Sequence, residues 1–239
     1  MGEPLLDLQG LRFAWPGSPG DCLDIDALRV QAGDTVFLHG PSGCGKSTLL
    51  SLMAGVLLAG QGRVVLQGRD WRSLGTAARD RHRVDQVGLI FQQFNLLPYL
   101  GVLDNVLLPC RFSRRRREAA ARRSGSAQAD AQAWLQAMGL APALWQRPAM
   151  ALSVGQQQRV AAARALVGQP ALVIADEPTS ALDEERRDSF LASLLAACDQ
   201  SGSALVFVSH DRRVAARFGR RIALPTLNRI ARDEAQVQP

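Results

Sequence analysis

The nine residues at positions 40–48, G-P-S-G-C-G-K-S-T, constrain this chain more than any other stretch. They match the pattern G-x-x-x-x-G-K-[ST] without a mismatch. A short apolar stretch of strand type, residues 35–39, runs into them. A helix-favouring stretch, residues 47–54, runs out of them and is closed by Gly55. Strand, glycine loop and helix together aim backbone N–H groups and a positive helix end at phosphate oxygens. Gly40, Gly43 and Gly45 supply conformations and close approach that a Cβ would block. Lys46 reaches the β- and γ-phosphates in this reading, and the Ser47 hydroxyl ligates Mg²⁺. Pro41, Ser42, Cys44 and Thr48 complete the cradle. The loop is expected to bind a nucleotide.

The use of cations sharpens the point. The chain has 27 Arg and a single Lys, and that Lys is Lys46. A compact ammonium on a flexible stem can be enclosed by a tight phosphate cradle, whereas a planar guanidinium fits badly.

Four cysteines (Cys22, Cys44, Cys110, Cys198) are scattered without metal-ligand spacing and read as reduced thiols of a cytosolic protein. Cys44 inside the loop reads as a small filler. Met1 to Pro4 shows neither a basic region nor an apolar core, so no leader is expected. No run of about 18 apolar residues exists to span a membrane. The net charge of +6 and the pI near 10.0 suggest nucleic acid at first sight. The distribution argues against it. Residues 111–123 carry seven Arg against one Glu, which is the whole excess, and the remainder is balanced. That run is expected to be a solvated helix face, with no nucleic-acid partner.

Along the chain, residues 5–13 and 25–30 read as alternating strands around a Pro16–Gly17 turn, with Trp15 at the first strand's end. Residues 63–67 form another strand, and 87–91 an unbroken apolar run typical of a parallel strand covered on both faces. Residues 102–138 look helical, with a joint at Ser124-Gly125-Ser126. A helix is expected over 157–166, a buried strand over 171–175, a helix over 183–200, a third buried strand over 204–208 and an edge strand over 221–224.

Three buried strands end in polar groups: Gln92, the pair Asp176–Glu177, and His210. Phosphoryl transfer needs these types: a carboxylate for the metal, a base or positioner for water, and donors near the γ-phosphate.

With these motifs in order, the chain resembles the nucleotide-binding subunits of ATP-binding cassette (ABC) transporters over essentially its full length. The resemblance rests on the phosphate loop, the glutamine at Gln92 and the segment L-S-V-G-Q at 152–156. It rests further on Asp176-Glu177-Pro178-Thr179, Ser180-Ala-Leu-Asp183 and His210. The segments F-Q-Q-F-N-L-L-P and D-N-V-L-L-P look like the lipoprotein-releasing and macrolide-exporting branch.

The resemblance implies one α/β P-loop NTPase domain of RecA-like type over 1–239. It has a mostly parallel sheet core, an N-terminal antiparallel β subdomain and a helical subdomain inserted at about 93–160. It implies a head-to-tail homodimer with two ATP molecules sandwiched and Mg²⁺ held by Ser47, Gln92 and Asp176. One subunit supplies Trp15 against adenine, the phosphate loop, Asp176, the base Glu177 and His210; Gln92 and Asp183 are further catalytic candidates. The other supplies Ser153, Gly155 and Gln156 at the start of the 157–166 helix. The sequence departs from the family at Val154, where a glycine is usual. A β-branched residue resists positive φ, so Val154 must take an ordinary backbone conformation.

The implied function is ATP hydrolysis that drives export or membrane extraction of a lipid, lipoprotein, peptide or amphiphilic drug through a separate permease. The implied location is the inner face of a bacterial cytoplasmic membrane. A related reading couples the same ATPase to a membrane partner that relays a mechanical signal without transport. A soluble cassette acting on nucleic acid or ribosomes needs tandem cassettes or long insertions, for which 239 residues leave no room.

Overall fold

The computed structural model describes residues 2–180 and 182–230. Ala181, within the expected Ser180-Ala-Leu-Asp183 segment, lies outside the described residues. In chain order the elements begin with β1 (Leu6–Phe13), β2 (Leu23–Val30), β3 (Thr35–His39), α1 (Lys46–Met53), β4 (Gln61–Leu66), β5 (Arg69–Asp70), α2 (Thr76–Gln86) and β6 (Val87–Ile90). There follow α3 (Val102–Phe112), α4 (Arg114–Ser124), α5 (Ala127–Ala137), α6 (Val154–Leu166), β7 (Leu172–Asp176), α7 (Glu184–Ser201), β8 (Ala204–Val208), β9 (Arg220–Ala223) and α8 (Leu224–Leu227). The backbone divides into two compact units, residues up to 83 with those from 206 onward, and residues 84–205.

The first unit holds an antiparallel sheet in the order β2-β1-β4-β5. Alternation decides its register: Leu6, Leu8, Leu11 and Phe13 stand opposite Val30, Leu28, Ile25 and Leu23, and all eight are buried. The pairing of β1 with β4 slips between Gln9 and Arg12, because Gly10 and Gly62 bring the two backbones together. A Cβ on Gly62 would sit 2.2 Å from Gly10 O. The same unit carries β9 parallel to β3. Its α1 packs Leu49, Leu50, Leu52 and Met53 inward and stops at Gly55, over which the Trp71 ring lies. The Trp71 indole N–H donates to Met53 O at 3.1 Å, so this buried aromatic leaves no unmet donor.

The second unit pairs β6 and β7 in parallel. Leu172 to Ala175 are all buried, as expected of a strand covered on both faces. Four helices, α3 to α6, fill the stretch between those strands. Fully buried Asn105 on α3 ties down the preceding segment: Oδ1 accepts from Leu97 N at 2.8 Å and Nδ2 donates to Leu97 O at 3.0 Å. The expected helical stretch 102–138 divides into three helices. One joint is Gly125 and Ser126, as expected; the other is Ser113, whose hydroxyl caps α4 by accepting from Arg116 N at 3.0 Å.

The arginine run corrects the expectation of a solvated face. Arg114 is exposed and pairs with Glu118 at 2.6 Å, as that expectation requires. Arg116, however, is 1% exposed and donates to Ala165 O at 3.2 Å. Burial pulls its guanidinium down to about 10. Arg115 donates to Asp85 O and Gln169 O, and Arg123 lies 4.0 Å over the Trp134 ring while pairing with buried Asp130 at 2.6 Å. Three of the seven arginines, Arg115, Arg116 and Arg123, are thus stitched to neighbouring segments, made possible because Arg carries a long apolar stem and a forked donor.

Candidate functional site

In the first unit β3 delivers the chain to the loop and α1 receives it. Gly43 (φ 81°) and Gly45 (φ 95°, the cap of α1) occupy the left-handed region that side chains avoid. Gly40 has a different requirement: a Cβ there would stand 2.7 Å from Cys44 Sγ. Lys46 is 6% exposed, and its ammonium donates to Gly40 O at 3.0 Å and Pro41 O at 2.8 Å. The loop thus closes around the one lysine of the chain. The first N–H groups of α1 have no acceptor within their own helix, which suits an anion at this end.

Trp15 stands 48% exposed, in edge contact with Phe13 at 5.2 Å between ring centres. His210 follows β8 and joins the start of the loop. His39, Gly40, Pro41, His210 and Arg212 line one cavity of 220 Å³. His39 and Arg212 were not among the expected site residues. His39 was hidden because the last residue of an apolar strand reads as strand alone; its position next to Gly40 is the signal that could have found it. Burial, and then the Arg212 charge, hold its imidazole below the ordinary value.

In the second unit Gln92 is exposed, two residues past β6. The segment after it turns through positive φ at Phe94 (59°) and Asn95 (48°). Arg164 of α6 clamps that turn, donating to Asn95 O at 2.6 Å and Phe94 O at 2.5 Å. Asp176 closes β7, and Glu177 follows in a left-handed conformation at φ 45°. Such a conformation costs a non-glycine residue on the order of 1 kcal/mol or more and persists where the surroundings demand it. The backbone then turns with Ser180 N donating to Glu177 O at 3.3 Å. Asp183 caps α7, accepting from Arg186 N at 2.9 Å.

The segment 152–156 forms the start of α6, three residues earlier than expected. Ser153 is its cap, and a capping box with Gln156 is complete on both sides. Val154 is therefore the first helical residue, with ordinary helical backbone as its β-branch demands. Gly155 lies in the first turn, where an added Cβ would meet Leu182 Cδ2 at 3.6 Å, an ordinary contact. The structure therefore places Ser153, Gly155 and Gln156 together at one helix end, with the Leu182 side chain beside Gly155.

A family model described as ABC transporter matches residues 23–180. A lipoprotein-releasing system ATP-binding protein, LolD 2, of Caulobacter vibrioides is 38% identical over 230 residues, covering 94% of this chain and 96% of its own. An uncharacterized ABC transporter ATP-binding protein, YbbA, of Escherichia coli K12 is 41% identical over 197 residues, covering 82% of this chain and 83% of its own. A solved ATP-binding cassette, a dimer in a post-hydrolysis state bound to ADP and Pi, superposes with a TM-score of 0.80 at 32% identity. The match covers 91% of this chain and 93% of that one.

Proposed function

This chain belongs to the ABC transporter family as an ATP-binding, ATP-hydrolysing subunit, and from that premise we propose that two copies clasp ATP and drive a separate membrane permease. The observation that carries the reading is the loop closed around Lys46, with Gly40 O and Pro41 O holding its ammonium. In the proposed mechanism that ammonium and the first N–H groups of α1 take the phosphates. Trp15 stacks on adenine, and His210 and Gln92 donate toward the γ-phosphate. Glu177 positions and deprotonates the attacking water. The second copy supplies Ser153, Gly155 and Gln156, with Asp183 adjoining. The dimeric state of the solved relative supports the pairing.

Mg²⁺ fits the oxygen donors proposed for it. Ser47 offers a hydroxyl, Gln92 an amide carbonyl and Asp176 a carboxylate, all hard ligands. Among the described residues no group of three His, Cys, Asp or Glu gathers for a metal. Such an ion would be held mostly by the substrate's own phosphates, as is common for Mg²⁺. When bound it neutralises charge on them.

ATP touches both copies only when they close, so its binding favours closure and loss of phosphate releases it. Among the described residues no helix is long and apolar enough to cross a membrane. In this proposal the work is delivered to another polypeptide at the inner face of the cytoplasmic membrane. The cargo proposed is a lipoprotein or similar amphiphile, supported by the name of the Caulobacter relative. The test is Mg²⁺-dependent phosphate release by the chain with its co-purified membrane partner. Lys46→Ala should abolish ATP binding; retention of wild-type affinity contradicts the reading.

A further inference from the structure

The cavity at the end of β3 has a lining that the proposed mechanism uses only in part. Gly40, Pro41 and His210 belong to that mechanism, while His39 and Arg212 have no role in it. No carboxylate is among the lining residues. Arg212 is exposed and makes no ion pair with any described carboxylate, in contrast to its neighbour. Arg213 is held by Asp211 through Nε at 2.9 Å and Nη2 at 3.0 Å. One of two adjacent guanidiniums is thus neutralised, and the other is left to the cavity.

His39 lines the same cavity, near enough for that charge to act on its imidazole. Its ring rests against Phe37 at 5.7 Å between centres. The neutral imidazole favoured by its lowered pKa still offers one N–H without bringing in a negative charge. Water takes about 30 Å³ per molecule in the liquid, so 220 Å³ admits a tetrahedral oxyanion with several waters. A guanidinium fork matches two oxygens of such an anion.

We propose that His39 and Arg212, together with His210, form a subsite for a phosphoryl oxyanion beside the phosphate loop, taken up as inorganic phosphate departs after hydrolysis. The inference rests on the reading of residues 40–48 as the ATP site. The same chemistry has two sources, the γ-phosphoryl group of bound ATP and the free phosphate, and the experiment separates them.

Inorganic phosphate is titrated calorimetrically into the full chain saturated with ADP, and ATP affinity is measured separately. Both are repeated for Arg212→Gln and His39→Gln, with circular dichroism verifying the fold. Arg212→Gln is expected to weaken phosphate binding on the order of tenfold, as befits loss of a charge-assisted pair, and His39→Gln by a smaller factor. With ATP affinity unchanged within about twofold, that result assigns the subsite to free phosphate; a parallel loss of ATP affinity assigns it to the bound γ-phosphoryl group. Unchanged affinities for both ligands in both variants, or no phosphate binding by the wild type, overturn the subsite. Failure of the wild type to bind ATP overturns the underlying reading instead.

Discussion

Ser153 and Gln156 hold each other across the first turn of α6. Gln156 N donates to the Ser153 hydroxyl at 3.4 Å, and Ser153 N donates to Gln156 Oε1 at 3.0 Å. A hydroxyl is both donor and acceptor. Ser153 can therefore accept from its own helix and still donate its proton to a phosphate of the opposite copy.

Ser153→Arg tests that double use. A long cation at this helix end should leave ATP binding by the isolated chain intact and reduce hydrolysis by the assembled complex at least tenfold, on the order of one lost transition-state contact. Ser153→Ala should cost about 1 kcal/mol of stability through the cap alone. Wild-type turnover in Ser153→Arg would remove this helix end from the mechanism.

Trp15 is exposed enough to offer a ring face, and base stacking on an aromatic is worth about 1–3 kcal/mol. Trp15→Ala should weaken ATP about 5- to 100-fold while leaving inorganic triphosphate binding unchanged. Equilibrium dialysis with both ligands makes the comparison. Equal affinities for ATP in variant and wild type would assign Trp15 to packing against Phe13.

Two buried thiols set the response to alkaline pH. Burial raises Cys110 from 9.0 to about 11 and Cys198 from 9.0 to about 12. The unfolded chain therefore loses these protons first, and stability falls as pH rises above about 9. Each thiol contributes at most about 1.4 kcal/mol per pH unit. Melting temperature followed from pH 8 to 10 should fall more gently in the Cys110→Ala, Cys198→Ala double variant than in wild type. Parallel slopes would contradict the assignment.

Much of the fold was legible because its signals are local. The loop at 40–48 carries its own conformational demands, and the buried runs at β6, β7 and β8 lie within a residue or two of their expected places. What escaped depended on partners distant in sequence. Arg116 reads as solvated among six other arginines until Ala165 O is found beside it. The start of α6 was legible in principle, since Ser153 and Gln156 have the spacing of a capping box, but Gly155 masked the helical pattern. The break at Ser113 hid between two helix-favouring stretches. His39 acquires meaning only once His210 and Arg212 share its cavity.

Closure of two copies around ATP is central to the proposed function, and Glu177→Gln measures it directly. The carboxamide keeps the shape at φ 45° but cannot take a proton from water. By sedimentation velocity with Mg²⁺ and ATP, Glu177→Gln should run as a stable dimer and revert to monomer when ATP is withheld, with turnover reduced about 100-fold or more. A Glu177→Gln chain that stays monomeric with ATP, or hydrolyses it at the wild-type rate, would contradict the account.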